Sequence, residues 1–325
     1  MDKLSFIQSA VADELAEFNQ IFNASMSSSN ALLNSALEHI KQKKGKMMRP
    51  SLLFLTTRLF GQKSSKYALH AAVALELLHT ASLVHDDVVD ESDERRGQSS
   101  VNAVYDNKVA VLVGDYLLAT SLVQGGLTCN IKIIDAISAL GQALSEGEIL
   151  QLSNIKEANF SELTYFDVIR KKTAALFSTC TLVAALSVDA TVEEVEIARH
   201  LGEYIGICFQ IRDDIFDYFS DAEVGKPTGI DMLEGKLTLP ILYAINSKND
   251  PEIKEIAVKV KSGDATLSDV ERLIEYAKDN GGIDYSIAVM DEYKKKALAL
   301  IYRFPDTDVR RSLVEYVEYV SDRNI

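Results

Sequence analysis

Residues 68–90 read Ala-Leu-His-Ala-Ala-Val-Ala-Leu-Glu-Leu-Leu-His-Thr-Ala-Ser-Leu-Val-His-Asp-Asp-Val-Val-Asp. The first half, Ala68–Leu78, is apolar nearly all round at helical spacing, the pattern of a helix buried on every side. The second half ends in carboxylates. Asp86 and Asp90 are four apart and share a helix face, with Asp87 beside them. Like charges at that spacing cost a few tenths of a kcal/mol per pair, and a hard cation with oxygen ligands would offset this. The reading is a central helix over 64–90 that carries an acidic cluster at its end.

Proline supports an all-α fold. The chain of 325 residues has five, Pro50, Pro227, Pro240, Pro251 and Pro305, so nothing between Pro50 and Pro227 forces a helix break. No run of alternating β-branched residues stands between hairpin turns. Helices are expected over 2–22, 30–43, from Pro50 to about Gly61, 101–106, 108–124 (stopped by Gly125 and Gly126), 131–152, 161–187 and 191–219. Four or five more fill 236–324. Residues 91–99 form a polar loop. The Gly- and Asp-rich stretch 220–235 is too long and polar for a connector and reads as a functional lid. With no linker or repeat, one domain is expected over 1–325.

Composition limits the function. A hydrophobic share of 47% and a charged share of 25% are those of a globular protein, and the net charge of -14 argues against nucleic acid and anionic membranes as partners. No basic region followed by an apolar core opens the chain, and no uninterrupted apolar run reaches the ~20 residues of a bilayer span, so a cytoplasmic protein without stable membrane insertion is expected. The cysteines, Cys129, Cys180 and Cys208, lie in apolar contexts and read as buried structural thiols.

Four elements carry chemistry. Gly45-Lys46-Met-Met-Arg49-Pro50 reads either as a basic solvated loop or as a diphosphate seat, with Lys as point charge, Arg as fork and a helix N-terminus beside them. His79 lies two turns before Asp86, and Arg95-Arg96-Gly97 follows the cluster; these are core packing and charge balance, or phosphate ligands. Lys171-Lys172-Thr173 opens an almost uncharged helical stretch, so at least one lysine looks into a cavity. Phe209-Gln210-Ile-Arg-Asp213-Asp214-Ile-Phe-Asp217 repeats the acidic cluster, followed by Gly225-Lys226 and Gly235-Lys236-Leu-Thr238-Leu-Pro240. Carboxylate clusters alternating with cations suit Mg²⁺ bridging to substrate phosphates. There is no Walker loop, Rossmann fingerprint or Gly-x-Ser-x-Gly elbow, so a nucleotide is not expected.

These motifs, in this order, resemble the trans-type isoprenyl diphosphate synthases, the polyprenyl synthetase family. The resemblance runs from Lys44 to the end. It is strongest, along Leu83–Gly97, to the long-chain bacterial octaprenyl and heptaprenyl diphosphate synthases that make quinone side chains. Lys44 departs from it, standing where the family more often has glycine. The resemblance implies a single-domain bundle of long helices around a central apolar cavity, usually a homodimer. It implies Mg²⁺, three ions with bound diphosphate, held by Asp86, Asp87, Asp90, Asp213, Asp214 and Asp217. Isopentenyl diphosphate would be bound by Lys46, Arg49, His79 and Arg96, and the allylic diphosphate by Arg95, Lys172, Thr173, Gln210, Lys226 and Lys236. The chemistry would be ionisation, condensation and elimination, carried by Asp86, Asp87, Asp90, Lys172 and Asp213. Ala81 and Ser82 lie about one turn below Asp86, at the mouth of the product tunnel, with Leu78 deeper. In the family a bulky aromatic there stops growth early; both are small here, implying about six to ten isoprene units. The alternatives are a geranylgeranyl diphosphate synthase and a non-catalytic subunit, the latter opposed by two complete acidic clusters.

Overall fold

The computed structural model describes residues 2–42, 45–61, 65–95, 97–156, 160–219 and 228–321. In chain order the helices are α1 (Lys3–Ser9), α2 (Ala12–Ser25), α3 (Ala31–Lys41), α4 (Met48–Phe60), α5 (Lys66–Val89), α6 (Val101–Tyr105), α7 (Asn107–Leu127), α8 (Ile131–Lys156) and α9 (Glu162–Ile169). After a π-helical turn (Arg170–Ala174) come α10 (Ala175–Leu186), α11 (Val192–Phe216), α12 (Ile230–Leu233), α13 (Leu239–Lys248), α14 (Pro251–Ser262), α15 (Leu267–Asp279), α16 (Gly282–Ile301) and α17 (Asp308–Ser321). The fold is all-α. The strands among the described residues, β1 (Glu94–Arg95) and β2 (Gln98–Ser99), make a two-residue hairpin.

The chain forms two compact units. One comprises Met1–Gly141, Leu176–Gly202 and Ile301–Tyr316; the other comprises Gln142–Ala175, Glu203–Leu300 and Val317–Ile325. In the first, α5 is the buried axis. Ser65 caps it by accepting from the Ala68 amide, and Ala68, Ala71, Ala72, Ala74 and Ala81 leave little side chain outside its backbone. That permits a close antiparallel pairing with α7. The Ser121 hydroxyl donates to the Ala74 carbonyl at 2.7 Å. A Cβ at Gly114 would come within 2.2 Å of the His85 ring, so glycine is what lets His85 lie against α7. In the second unit Tyr218, Met232, Ile241, Ile253, Val270 and Leu273 form an apolar core under α11, α13, α14 and α15.

Several expectations needed correction. The helix expected over 2–22 breaks at Ala10 and Val11, where no Pro or Gly marks it; the break falls beside Gln8, whose amide donates to the Lys46 carbonyl at 2.9 Å. Gly125 and Gly126 do not stop α7, which runs on to Leu127 with Gly125 buried inside it; a glycine within a helix costs about 1 kcal/mol and does not by itself end it. The single helix over 161–187 contains the π-turn. Cys129 is exposed, in a left-handed conformation just past α7; only Cys180 and Cys208 are buried. By length and composition α5 and α7 are both apolar enough to cross a membrane, with 61% and 39% of their most apolar windows buried. In α5 that apolarity is used in the core; α7 leaves Leu112, Leu122 and Val123 exposed.

Candidate active site

In the first unit the last turn of α5 presents Asp86 half-buried and Asp90 exposed at the C-cap. Asp87 is turned inward, 4% exposed, and accepts from Arg95 Nε at 2.7 Å with a second guanidinium contact through Nη2. Burial pushes the Asp87 carboxyl above its usual range, against the pull of Arg95. The hairpin aims Arg95: Gly97 takes φ 70° at the turn, and the Gln98 amide docks on the His39 carbonyl at 3.0 Å. A cavity of about 270 Å³ lies against this face of α5, lined by Asp87, Arg95, His79, Glu76 and the apolar Phe18 and Phe22.

Of the residues expected to hold isopentenyl diphosphate, His79 lies in the wall of this cavity and is buried. Lys46 is exposed just ahead of α4. Arg49, in the first turn of α4, lies 6.0 Å from the centroid of the Phe177 ring, and its Nε is buried with no hydrogen-bond partner. An orphaned guanidinium donor beside a helix start is suited to an anion. Arg96, Lys226 and Lys44, and residues 220–227 of the expected lid, lie outside the described residues. Ala81 is 1% exposed and Leu78 4%, while Ser82 is half-buried with its hydroxyl on the His79 carbonyl at 2.9 Å.

The second unit gathers most of the remainder around a cavity of about 190 Å³. Lys172 and Thr173 reach it from the π-turn, a bulge of the kind frequent at functional sites. Lys172 Nζ pairs with Glu148 at 2.5 Å and donates to the Gln151 side chain at 3.1 Å. A chain of bonds runs on through the site. The Thr173 hydroxyl donates to Gln210 at 2.6 Å, the Gln210 amide donates to Asp214 at 2.8 Å, and the Tyr165 hydroxyl donates to the other Asp214 oxygen at 2.5 Å.

The three aspartates of the second cluster differ in setting. Asp213 is exposed. Asp214 is 2% exposed, and burial, then the charge of Asp231, hold its carboxyl well above the usual range. Asp217 accepts from the amides of Ile230 and Asp231 at 3.0 and 3.2 Å, fixing the start of α12, and burial raises it too. Asp231 is pushed up to about 6 by burial and by Asp217. Lys236 lines the same cavity and pairs with Glu234 at 2.6 Å.

Sequence reasoning missed Tyr165, Glu148, Gln151 and Asp231. Glu148 and Gln151 lie a turn apart on α8, the only local sign that this face of the helix is polar for a reason. In the first unit Asp86 and Asp90 offer carboxylate oxygens of the kind that suit a hard cation such as Mg²⁺; in the second unit Asp213 offers another, and the burial of Asp214 and Asp231 favours added positive charge beside them.

The model of the polyprenyl synthetase family matches residues 30–277. The chain belongs to this family. A polyprenyl synthetase is a prenyltransferase, joining isopentenyl diphosphate to an allylic diphosphate. The chain is 35% identical to the all-trans-nonaprenyl-diphosphate synthase (geranyl-diphosphate specific) of Rhodobacter capsulatus, over 98% of this chain and 97% of that protein. Among solved structures it is 54% identical to a geranylgeranyl pyrophosphate synthase from Bacteroides thetaiotaomicron, with a TM-score of 0.88 and 99% and 100% of the two chains covered. It is 31% identical to a polyprenyl synthase from Caulobacter crescentus complexed with calcium and isoprenyl diphosphate, with a TM-score of 0.91 and 98% of each chain covered.

Proposed function

We propose that this polyprenyl synthetase extends an allylic diphosphate, farnesyl diphosphate first, to a long all-trans chain of about C30 to C50 destined for a quinone side chain. It does so as a cytoplasmic homodimer in which residues 1–325 act as one catalytic domain. Lys46, Arg49, His79 and Arg96 hold isopentenyl diphosphate. Arg95, Lys172, Thr173, Gln210, Lys226 and Lys236 hold the allylic diphosphate. The family depends on magnesium. Asp86, Asp90 and Asp213 would ligate the metal, three Mg²⁺ with the diphosphate, and Asp87, Asp214 and Asp217 would support it. Those ions would supply positive charge where the diphosphate departs.

The chain's own groups do the rest. As the allylic carbon–oxygen bond breaks, Lys172 and Lys236 meet the charge growing on the diphosphate. The double bond of isopentenyl diphosphate attacks the allylic cation. The released diphosphate takes the proton from the adjacent carbon, leaving a trans double bond. No side-chain nucleophile is needed, and apolar walls keep water from quenching the cation.

The observation that carries the long product is the pair of small residues one turn before Asp86, Ala81 and Ser82, where a bulky aromatic would stop growth early. The homodimer rests on the exposed apolar side chains along α7, Val111, Leu112, Leu118, Leu122 and Val123. Identity to a geranylgeranyl pyrophosphate synthase favours a second reading, a product stopping at four isoprene units. Purified protein with Mg²⁺, farnesyl diphosphate and labelled isopentenyl diphosphate, followed by product sizing, separates them. Long products support the first reading and a four-unit product the second; no elongation overturns both.

A further inference from the structure

Lys261 stands apart from every motif above. It lies in the last turn of α14 and is only 7% exposed. Lysine is almost never buried so far without an electrostatic reason. Lys259, on the same turn, is exposed. Lys261 Nζ donates to the Asn154 carbonyl at 2.8 Å and to its side-chain oxygen at 3.3 Å, and lies 5.7 Å from the centroid of the Phe160 ring. Asn154 belongs to the last turn of α8, one turn beyond Gln151, the residue that accepts from Lys172.

Lys261, Asn154 and Gln151 all line the cavity of about 190 Å³ that also takes in Lys172, Thr173 and Lys236. Three ammonium groups thus come to one small cavity from three separate segments: α14, the π-turn and the stretch before α13. A cavity of that size with three cations suits a compact ligand with several anionic oxygens. We infer that Lys261 is a further diphosphate-binding residue of the allylic site: its ammonium, aimed by the Asn154 carbonyl, donates to a phosphate oxygen of the bound substrate and of the diphosphate that leaves. This rests on the allylic-site reading given under Proposed function.

The rival role is purely structural, a cation closing the carbonyl end of α8. Four variants separate the two: Lys261→Met, Lys261→Gln (which keeps a donor for Asn154 but no charge), Lys261→Arg and, as control, Lys259→Met. The readouts are KM for farnesyl diphosphate, KM for isopentenyl diphosphate, thermal midpoint, and the affinity of inorganic diphosphate with Mg²⁺ by calorimetry. Lys261→Met and Lys261→Gln should weaken farnesyl and inorganic diphosphate by about 10- to 100-fold, the worth of one charge-assisted bond. KM for isopentenyl diphosphate should stay within twofold, Lys261→Arg should recover most of the loss, and Lys259→Met should behave as wild type. Unchanged diphosphate affinity in Lys261→Gln overturns the inference. So does a parallel rise of both KM values with a falling midpoint that arginine does not rescue. Should Lys261→Met not fold, the Gln and Arg variants carry the comparison. Wild-type protein that binds inorganic diphosphate but elongates nothing would sink the functional reading instead, and the calorimetry would still decide Lys261.

Discussion

Gly147 tests whether the π-turn aims Lys172. The glycine sits in α8 hard against that turn: a Cβ there would lie 2.8 Å from Lys171 Cβ, 2.9 Å from Lys172 Cγ and 3.1 Å from the Lys172 amide nitrogen. Carbon–carbon contacts prefer about 3.5–4.0 Å, so Gly147→Ala must move the turn or α8 by several tenths of an ångström. Overpacking of this kind costs about 1–3 kcal/mol, and alanine returns up to about 1 kcal/mol through helix propensity. The net loss of about 1–2 kcal/mol should lower the thermal midpoint by a few degrees. The displacement falls on Lys172, whose ammonium is held by Glu148 and Gln151 at 2.5 and 3.1 Å. Losing about half of one charge-assisted bond, about 1.4 kcal/mol, would raise KM for farnesyl diphosphate about tenfold. Steady-state kinetics with both substrates, beside thermal denaturation, measures this. Gly126→Ala is the control, since a Cβ there meets nothing within 4 Å. A Gly147→Ala protein with wild-type KM and a raised midpoint, like the control, would refute the claim that close packing against α8 aims the lysine.

Other outcomes are expected. Ala81→Phe should shorten the product to about the size of a short-chain diphosphate; product length unchanged on chromatography removes Ala81 from the tunnel. Asp231→Asn should raise the thermal midpoint of metal-free protein at pH 8. Its carboxyl is raised from 3.8 to about 6, so its stabilising protonated form is complete below about 3.8 and is lost as pH rises through about 6. The variant's advantage should therefore shrink as pH falls through that window; a gap independent of pH would contradict this. For the proposed homodimer, Leu122→Glu, at a position 55% exposed on the apolar face of α7, should shift sedimentation toward monomer. An unchanged dimer would place the interface elsewhere.

The sequence disclosed the parts that repeat a local pattern. The helix over 64–90 was legible because burial on all sides demands an apolar run, and both acidic clusters because like charges crowded on one helix face need a reason. The breaks were less legible. Nothing in Ser9–Ala12 signals a stop, and Gly125-Gly126 signals one that does not occur, because the modest propensity cost of glycine does not by itself end a long helix held by its neighbours. The π-turn at Arg170–Ala174 is likewise absent from the local pattern, since Arg-Lys-Lys-Thr-Ala reads as ordinary helix.

By itself, then, the sequence determined the fold class and the family, and it located the carboxylate and cation clusters from which the proposed chemistry is drawn. These depend on residue type and spacing along one helix, which periodicity carries directly. Only the tertiary structure decided what each group faces. It turned Asp87 onto Arg95 and Asp214 onto Tyr165 and Gln210 while Asp90 and Asp213 stayed exposed, and it brought Lys261 to the cavity of Lys172. The physical reason is that burial and partnership are set by residues distant in the chain: Tyr165 and Asp214 are 49 positions apart, and Lys261 and Asn154 are 107.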